Sequence, residues 1–511
     1  MARLTRVTDT LIMVKAKLAG AIRRILEDKL TDYVSVLDFG ADPTGMTECS
    51  AAFQAACDTG KTVLVPKGIY QIGKTIVLKR SVTVVGEGND GLINRAMSFL
   101  NVVGNIPCFT NWQTIDDPNS MIQVHFKKLF IQYNPTTVPE DITNQDKIAF
   151  RFYSDAAGKN GLEFSTFEDI TVLGAWMGFH DNCGTYMSAL KRFEARDCRY
   201  GIVKSLGTTI TLENCYANGC RTSYQFGAMS TVKMTNCAMD NGDISIARGS
   251  LGEGTGLHIL NVRCFEVDSF DAEVNSVATD GEGIASLVHI EGSTGIISGL
   301  VGLNNTMKTI APTLQGSVAK YRLSKGSHVK FLGMEDEFER EGGSEYEGTG
   351  GYAVTFLADT DSRALVETSR VNAPRNKIGS SATLLALAQG NVSFLNCVKE
   401  GLIVGGTTLE TGANGLKVDS VYTASSVAVI GDVARPIYTM KEQGIYLVAA
   451  SVKNAGDNYC ASAIVVFDGT NSSLSFSSPV VFTTLGASGA NVTLKVASGT
   501  ATYQWSVTKL G

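Results

Sequence analysis

An all-β fold is predicted: a parallel β-helix of stacked short strands over residues 31–400, with a short helix in residues 1–30 before it and a β-sandwich in residues 401–511 after it. Three observations predict this. A short phrase recurs at intervals the size of one supersecondary unit, helical periodicity almost vanishes after residue 31, and the carboxy-terminal segment changes to strict apolar–polar alternation. Composition agrees, since Gly supplies 53 of 511 residues and only 18% are charged, against about 25% charged in an average chain. Such a chain is rich in turns.

The same arithmetic excludes several classes of function. A net charge of -6 gives no basic field to draw phosphates, so no nucleic acid is expected as a partner. No apolar run approaches the roughly 18 residues of a membrane span, so no membrane insertion is expected. Met1 to Arg6 is not followed by a plain signal h-region, which points to synthesis and folding in a cytoplasm. Eleven cysteines is an odd number without a CxxC pair, and most should be reduced packing residues. The five histidines, His125, His180, His258, His289 and His328, contain no i,i+4 pair, so no metal and no cofactor is expected.

Residues 11–30 carry an apolar stripe of helical period, Leu11, Val14, Leu18, Ile22 and Ile25, flanked by Lys15, Lys17, Arg23, Arg24, Glu27 and Asp28. The narrow stripe fits a coiled-coil seam, a docking peptide or a helix lying on its own domain. Beyond it come strand-length apolar pieces: Thr62 to Val65, Thr75 to Leu78 and Ser81 to Val85. The repeated phrase is an Asp or Asn followed by Cys, Ile or Val. It occurs at Asp169, Asp197, Asn214, Asn236, Asn261 and Asn396, the first five at steps of 28, 17, 22 and 25 residues. In a β-helix successive coils pair at about 4.8 Å, so equivalent side chains stack. Cys198, Cys215 and Cys237 are then expected to form an internal thiol stack. Asp169, Asp197, Asn214, Asn236 and Asn261 should stack at a bend, where these residues tolerate the left-handed conformation. After residue 401 the alternating segments from Ile445, Ile464, Val492 and Tyr503 describe the sandwich.

The stretch from Tyr33 to Gly45, with Ser50 to Ala56, Val65 to Tyr70 and Val84 to Gly88, resembles the opening of the pectate-lyase-like right-handed β-helix family. In that family it forms a capping strand, a short helix and the first coils, and the resemblance carries no catalytic residue. The whole layout is similar to that of bacteriophage tailspikes, especially the capsule depolymerases of enterobacterial podoviruses. That resemblance implies a homotrimer in the virion tail that cuts or binds a bacterial capsular or surface polysaccharide. It also implies attachment to a tail adaptor protein through residues 1–30, and trimerisation or carbohydrate binding by residues 401–511.

Endo-acting glycosidic hydrolysis needs two carboxyl groups, about 5–5.5 Å apart for retention or roughly 6.5–9.5 Å for inversion. From Phe265 to Val274, apolar residues alternate with Glu266 and Asp268 and then, after a one-residue phase change, with Asp271 and Glu273, so each pair shares a face. These four are the candidate catalytic residues, with Asp240 and Asp243 one coil earlier. Trp176, Tyr216 and Tyr224 are the candidate sugar-stacking aromatics, and Arg248 completes the substrate-binding set. An ordinary solvated strand face is the competing reading of the acidic segment. A lyase would instead pair Tyr224 with Arg221, Arg248 or Arg263, and a non-catalytic receptor-binding fibre needs neither set. The acidic run from Glu335 to Glu347 lacks the spaced ligands of a calcium loop and reads as a solvated loop.

Overall fold

The computed structural model describes residues 13–510 except 16, 18, 89–97, 112–121, 155–160, 185, 246–253, 280–283, 304, 310–316, 337–344, 348–351, 373–374, 377–383, 396, 401, 405–408, 411–416, 431–434, 440–443, 455–456, 468–471, 478–482, 489–490 and 497–499; beyond Cys397 it describes strand backbones. Two compact units divide the chain, Met1–Tyr216 and Ala217–Gly511.

In the first unit, among the described residues, the helix expected over residues 11–30 is confined to Leu26–Leu30. Before it, Met13–Lys15 pairs antiparallel with Arg23–Ile25. The turn between them holds Gly20 at φ +78°, a conformation that breaks the helical stripe the apolar spacing implied. Residues 1–12, including Leu11, lie outside the described residues. The expected short helix is present as Ser50–Asp58, burying Phe53, Ala56 and Cys57. Its Gln54 acts as a surrogate strand: Nε2 donates to Val77 O at 2.8 Å and Oε1 accepts from Val77 N at 2.8 Å. The first strand of the sheet, Ile76–Leu78, therefore has its edge hydrogen-bonded instead of open.

From there the chain winds in parallel ladders. Ile76–Leu78, Phe109–Asn111, Ile148–Tyr153, Met177–Asn182 and Tyr200–Lys204 form one sheet. Val82–Gly86, Val124–Tyr133, Thr166–Leu173, Ser188–Arg196 and Gly207–Glu213 form another. Inward positions stack by register. Phe126 lies on Phe167 with ring centroids 5.7 Å apart and Phe109 on Phe150 at 5.6 Å, both nearly parallel. Each buried ring stabilises the coil by about 1.5–3 kcal/mol relative to leaving it exposed.

The recurring phrase has a local cause. Asp169, Asp197, Asn214, Asn236 and Asn261 all take positive φ, between 48° and 55°. They do not stand in one file, as the sequence reading supposed. Asp169 aligns with Lys128 and Arg192, all three left-handed, in the gap between paired residues of their strands. Asp197 instead follows Arg196 at a strand end, and Asn261 aligns with Gly292. Where the bend is followed by cysteine, the thiol bonds back: Cys198, Cys215 and Cys237 donate to the carbonyls of Arg196, Glu213 and Thr235, two residues earlier. Serine does the same at Ser293 and Ser369. The single thiol stack is corrected likewise, because Cys198 lies beyond Arg196 whereas Cys215 follows Glu213, the partner of Lys191. All the described cysteines are free.

In the second unit each coil adds strands. Thr222–Gly227, Thr255–Leu260, Ile284–Glu291, Ser317–Ser324, Tyr352–Ala358, Leu384–Gln389 and Leu402–Val404 make a long parallel sheet. Met229–Thr235, Cys264–Asp268, Thr294–Ser298, His328–Leu332, Arg363–Glu367 and Val392–Leu395 make a second. Ala238–Asp240, Asp271–Glu273 and Val301–Leu303 make a third ladder. Asp243–Ser245, Ser276–Thr279, Thr306–Thr309, Glu345–Glu347 and Arg375–Asn376 make a fourth. Coil length varies: partners one coil apart are separated by 41 residues at His125 and Thr166 and by 23 at Asp169 and Arg192 in the first unit, against 33 at Lys233 and Glu266 and 35 at Ser327 and Ser362 here.

After Leu409–Glu410 the pairing turns antiparallel. Lys417–Ile430, Thr500–Leu510, Gly444–Asn454, Asp457–Phe467 and Ser472–Ser477 follow one another across one sheet. Arg435–Thr439, Asn491–Val496 and Thr483–Ser488 form another. All four alternating segments read from the sequence fall within these strands.

Charge is also buried inside the coil. In the first unit Lys204 Nζ donates to Asp181 Oδ2 at 2.6 Å with both side chains 0% exposed, and in the second Lys320 pairs with Asp336. Removing one member strands a charge, whereas replacing both with apolar groups does not. Asp181→Ala should cost about 3–5 kcal/mol and Asp181→Leu with Lys204→Met far less, read from thermal unfolding of the two variants. Equal losses in both would contradict a penalty caused by the stranded lysine.

Candidate active site

Two bends place the acidic residues of the second unit. The strand Cys264–Asp268 buries Phe265 and Val267 and turns Glu266 and Asp268 outward. Ser269, at φ 54°, and the buried Phe270 then carry the chain around a corner. Asp271–Glu273 continues on a different ladder with only Ala272 buried. The phase change read from the sequence is this corner, and it separates the two acidic pairs.

On the third ladder Glu273 registers with Asp240, and Asp271 shares the outward face of its strand with Glu273. Glu273 N donates to Asp240 Oδ1 at 3.2 Å, which ties one coil's acidic residue to the next. Asp271 Oδ1 is buried without a hydrogen-bond partner. Burial, reinforced by the neighbouring Glu273 and Asp240 charges, raises the Asp271 carboxyl from the ordinary aspartate range to about 6. A buried asparagine ladder fixes the corner that follows. Asn275 Nδ2 donates to Met239 O and to Asn305 Oδ1, both at 3.0 Å, while Asn305 Nδ2 donates to Ala272 O at 2.8 Å. Each amide thereby binds the strand that carries a site residue, so Asp240, Asp271 and Glu273 sit on a rigid support.

The other candidates are placed elsewhere. Glu266, 54% exposed, pairs with Lys233 at 3.2 Å. Asp268 accepts from Ser298 Oγ at 2.7 Å. Asp243 heads its own strand and pairs with Arg221. The structure thus brings together three of the six candidate carboxylates.

A family profile described as "Rhamnogalacturonase A/epimerase, pectate lyase-like" matches residues 33–225. That segment is therefore similar to the pectate-lyase-like family over somewhat less than half of the chain. The tail spike protein of an Escherichia phage is 39% identical to the chain over 75 residues, 15% of this chain and 9% of that protein, so the chain matches only a small part of that relative's length. Among solved structures, the enzymatically active domain of tailspike protein 2 of bacteriophage CBA120 is 13% identical over 99% of this chain and 79% of that one, with a TM-score of 0.46. The gp42 tailspike of Acinetobacter phage vb_AbaP_AS12 is 13% identical over 93% and 83%, with a TM-score of 0.44. The resemblance read in the opening residues is met by the family profile, and the tailspike resemblance by the tail spike match.

Aromatic candidates are corrected by the packing of these coils. Tyr224 is fully buried, its hydroxyl donating to Ala238 O at 2.8 Å and its ring set edge-on to Phe270, so it serves neither as a sugar platform nor as a lyase base. Trp176, in the pectate-lyase-like segment, is 2% exposed and covered by the Arg199 guanidinium 4.7 Å from its ring centre. Tyr216 is half-buried at the start of Tyr216–Asn218. Arg248 lies outside the described residues. In the acidic run Asp336 is buried against Lys320, which corrects its reading as part of a solvated loop, while 337–344 lie outside the described residues.

Besides Lys320 with Asp336, sequence reasoning missed Asn275 with Asn305, Asp181 with Lys204, and His258 with His289. The only signal of these last three pairs is a separation of one coil, which becomes legible once register is known.

A raised carboxyl is a stability statement. Asp271 keeps its proton to higher pH in the folded than in the unfolded chain, so its stabilising contribution is complete below about pH 4 and is lost as pH rises through about 6. Asp271→Asn should therefore raise the unfolding temperature relative to the parent at pH 8 and not at pH 4. A difference independent of pH would contradict the placement.

Proposed function

We propose that this chain is a phage tailspike that depolymerises a host capsular or surface polysaccharide by endo-acting glycosidic hydrolysis at Asp240, Asp271 and Glu273. The observation that carries the reading is Asp271: a half-buried carboxyl with one oxygen unpartnered, beside Glu273 on its own strand and Asp240 on the neighbouring coil. Tail spike similarity over 75 residues and the pectate-lyase-like match support the setting.

Asp271, protonated because of its raised pKa, donates its proton to the glycosidic oxygen as the bond to the anomeric carbon breaks. Glu273, two residues along the same strand, accepts a proton from the water that supplies hydroxide to that carbon. Residues i and i+2 of a strand are separated by about 6.6–6.8 Å, within the inverting range of about 6.5–9.5 Å. Asp240, held by the Glu273 amide, maintains the negative field that keeps Asp271 protonated. Elimination would need a base near a uronate, and burial removes Tyr224 from that role. In the same reading the molecule is a homotrimer of the virion tail: residues 1–30 attach it to an adaptor protein, residues 31–400 act on the glycan, and residues 401–511 form a sandwich for trimerisation or carbohydrate binding.

Purified capsule from the host, incubated with the protein, should give new reducing ends without an unsaturated uronate. Asp271→Asn should lose roughly 100-fold or more in kcat with glycan affinity retained, and the parent's kcat/KM should decline above about pH 6, where the acid ionises. Unsaturated products would overturn hydrolysis. Saturable binding without cleavage would establish a receptor-binding fibre, and full activity of Asp271→Asn would place the acid elsewhere.

A further inference from the structure

On the long sheet of the second unit, two histidines meet on neighbouring coils. Thr255–Leu260 pairs in parallel with Ile284–Glu291, and the register sets His258 directly beside His289. Their rings are 5.0 Å apart and 6° from parallel. Glu291, two residues beyond His289 and on the same face of its strand, brings Oε2 to 3.5 Å from His258 Nε2. One donor atom from each of the three lies within 4.8 Å of the other two. Solvent is largely excluded: the His258 side chain is 3% exposed, that of Glu291 12%, and His289 5%.

We propose that His258, His289 and Glu291 form a structural binding site for a divalent transition metal, with Zn²⁺ the best match to two imidazoles and one carboxylate. Imidazole nitrogen suits zinc, copper and nickel, whereas calcium and magnesium need oxygen-rich shells that this buried pair does not offer. Zinc bonds of about 2.0–2.1 Å set tetrahedral donors about 3.3 Å apart, so the three groups close by a small side-chain adjustment. The shell around them is already formed. Ser324 Oγ, 2.8 Å from His289 Nε2, holds that ring's orientation. Lys325 pairs with Glu291 Oε1 and leaves Oε2 toward His258. Arg322, which follows His289 in the same column, donates to Ile284 O at 3.3 Å and adds positive charge nearby. A metal here would staple two successive coils on a different sheet from the one that carries Asp271.

The test is a titration of the untagged full-length protein, stripped with a chelator, by ZnCl₂ in a calorimeter and by CoCl₂ in the visible spectrum. Among the cysteines whose side chains are described, Cys264 is the exposed one and offers a rival ligand, so Cys264→Ser serves as the background. The proposal expects one metal per chain and a cobalt spectrum of nitrogen and oxygen ligation. It expects binding weakened by more than about 100-fold in His258→Ala and Glu291→Gln, and tightened in Lys325→Ala, which releases the carboxylate. Should His258→Ala fail to fold, the parent stoichiometry, the cobalt spectrum and Lys325→Ala still decide. No saturable binding, a thiolate charge-transfer band, or equal affinity in all variants would overturn it.

Discussion

Hydrogen bonds that run from each turn of the chain to the next hold equivalent residues one above another, and the properties of the described coils follow from that register. A parallel ladder repeats at about 4.8 Å, so a residue's neighbours in space are its counterparts one coil away. Phenylalanines face phenylalanines in the core of the first unit. Asparagine amides of the second unit bridge strand to strand. The same rule accounts for the bends: a left-handed residue at one level is matched by another left-handed residue or a glycine at the next, as Asn236 is matched by Ser269 and then Gly299. A side chain that breaks the corner at one level would disturb both neighbours.

Register also generates the electrostatics of the candidate site. A lone aspartate on a strand face would titrate normally, but stacking brings Asp240 beside Glu273 while strand geometry sets Asp271 on that same face. Like charges so placed do not all ionise without cost. Burial falls hardest on Asp271, whose backbone-supported position denies one oxygen a partner. The acid–base division proposed for the reaction is therefore a consequence of where the bend at Ser269 falls. On the other side of that bend, Glu266 forms an ion pair with Lys233 and Asp268 accepts a hydrogen bond from the Ser298 hydroxyl.

Much of this was legible in the chain, and the remainder was hidden for identifiable reasons. Alternation from Phe265 to Glu273 gave the correct inward and outward residues because a strand has a strict period of two. The Asn-Cys phrase correctly marked left-handed bends, yet it marked several different bends, because any corner can use an αL residue followed by a thiol that bonds the carbonyl two residues back. Burial of Tyr224 and Trp176 could not be read from type alone: aromatic rings serve cores and sugar platforms equally well, and only the placement of Ala238 and Arg199 decides. The amino-terminal stripe misled because Gly20, a residue that the apolar spacing ignores, turns the chain into a hairpin. His258 and His289 look unrelated in a linear scan for helical spacing, since the interval that joins them is the length of a coil.

The claim on which the account rests is that register places Glu273 beside Asp240, and disulfide trapping measures it directly. Directly paired strand residues fall within the about 4.4–6.8 Å between Cα atoms that a disulfide spans. In a Cys264→Ser background, Asp240→Cys with Glu273→Cys should form an intrachain bond under mild oxidation, found by peptide mass mapping. Asp240→Cys with Glu266→Cys, across the corner, should not. A bond in the second pair and none in the first would contradict the register, and with it the carboxylate cluster.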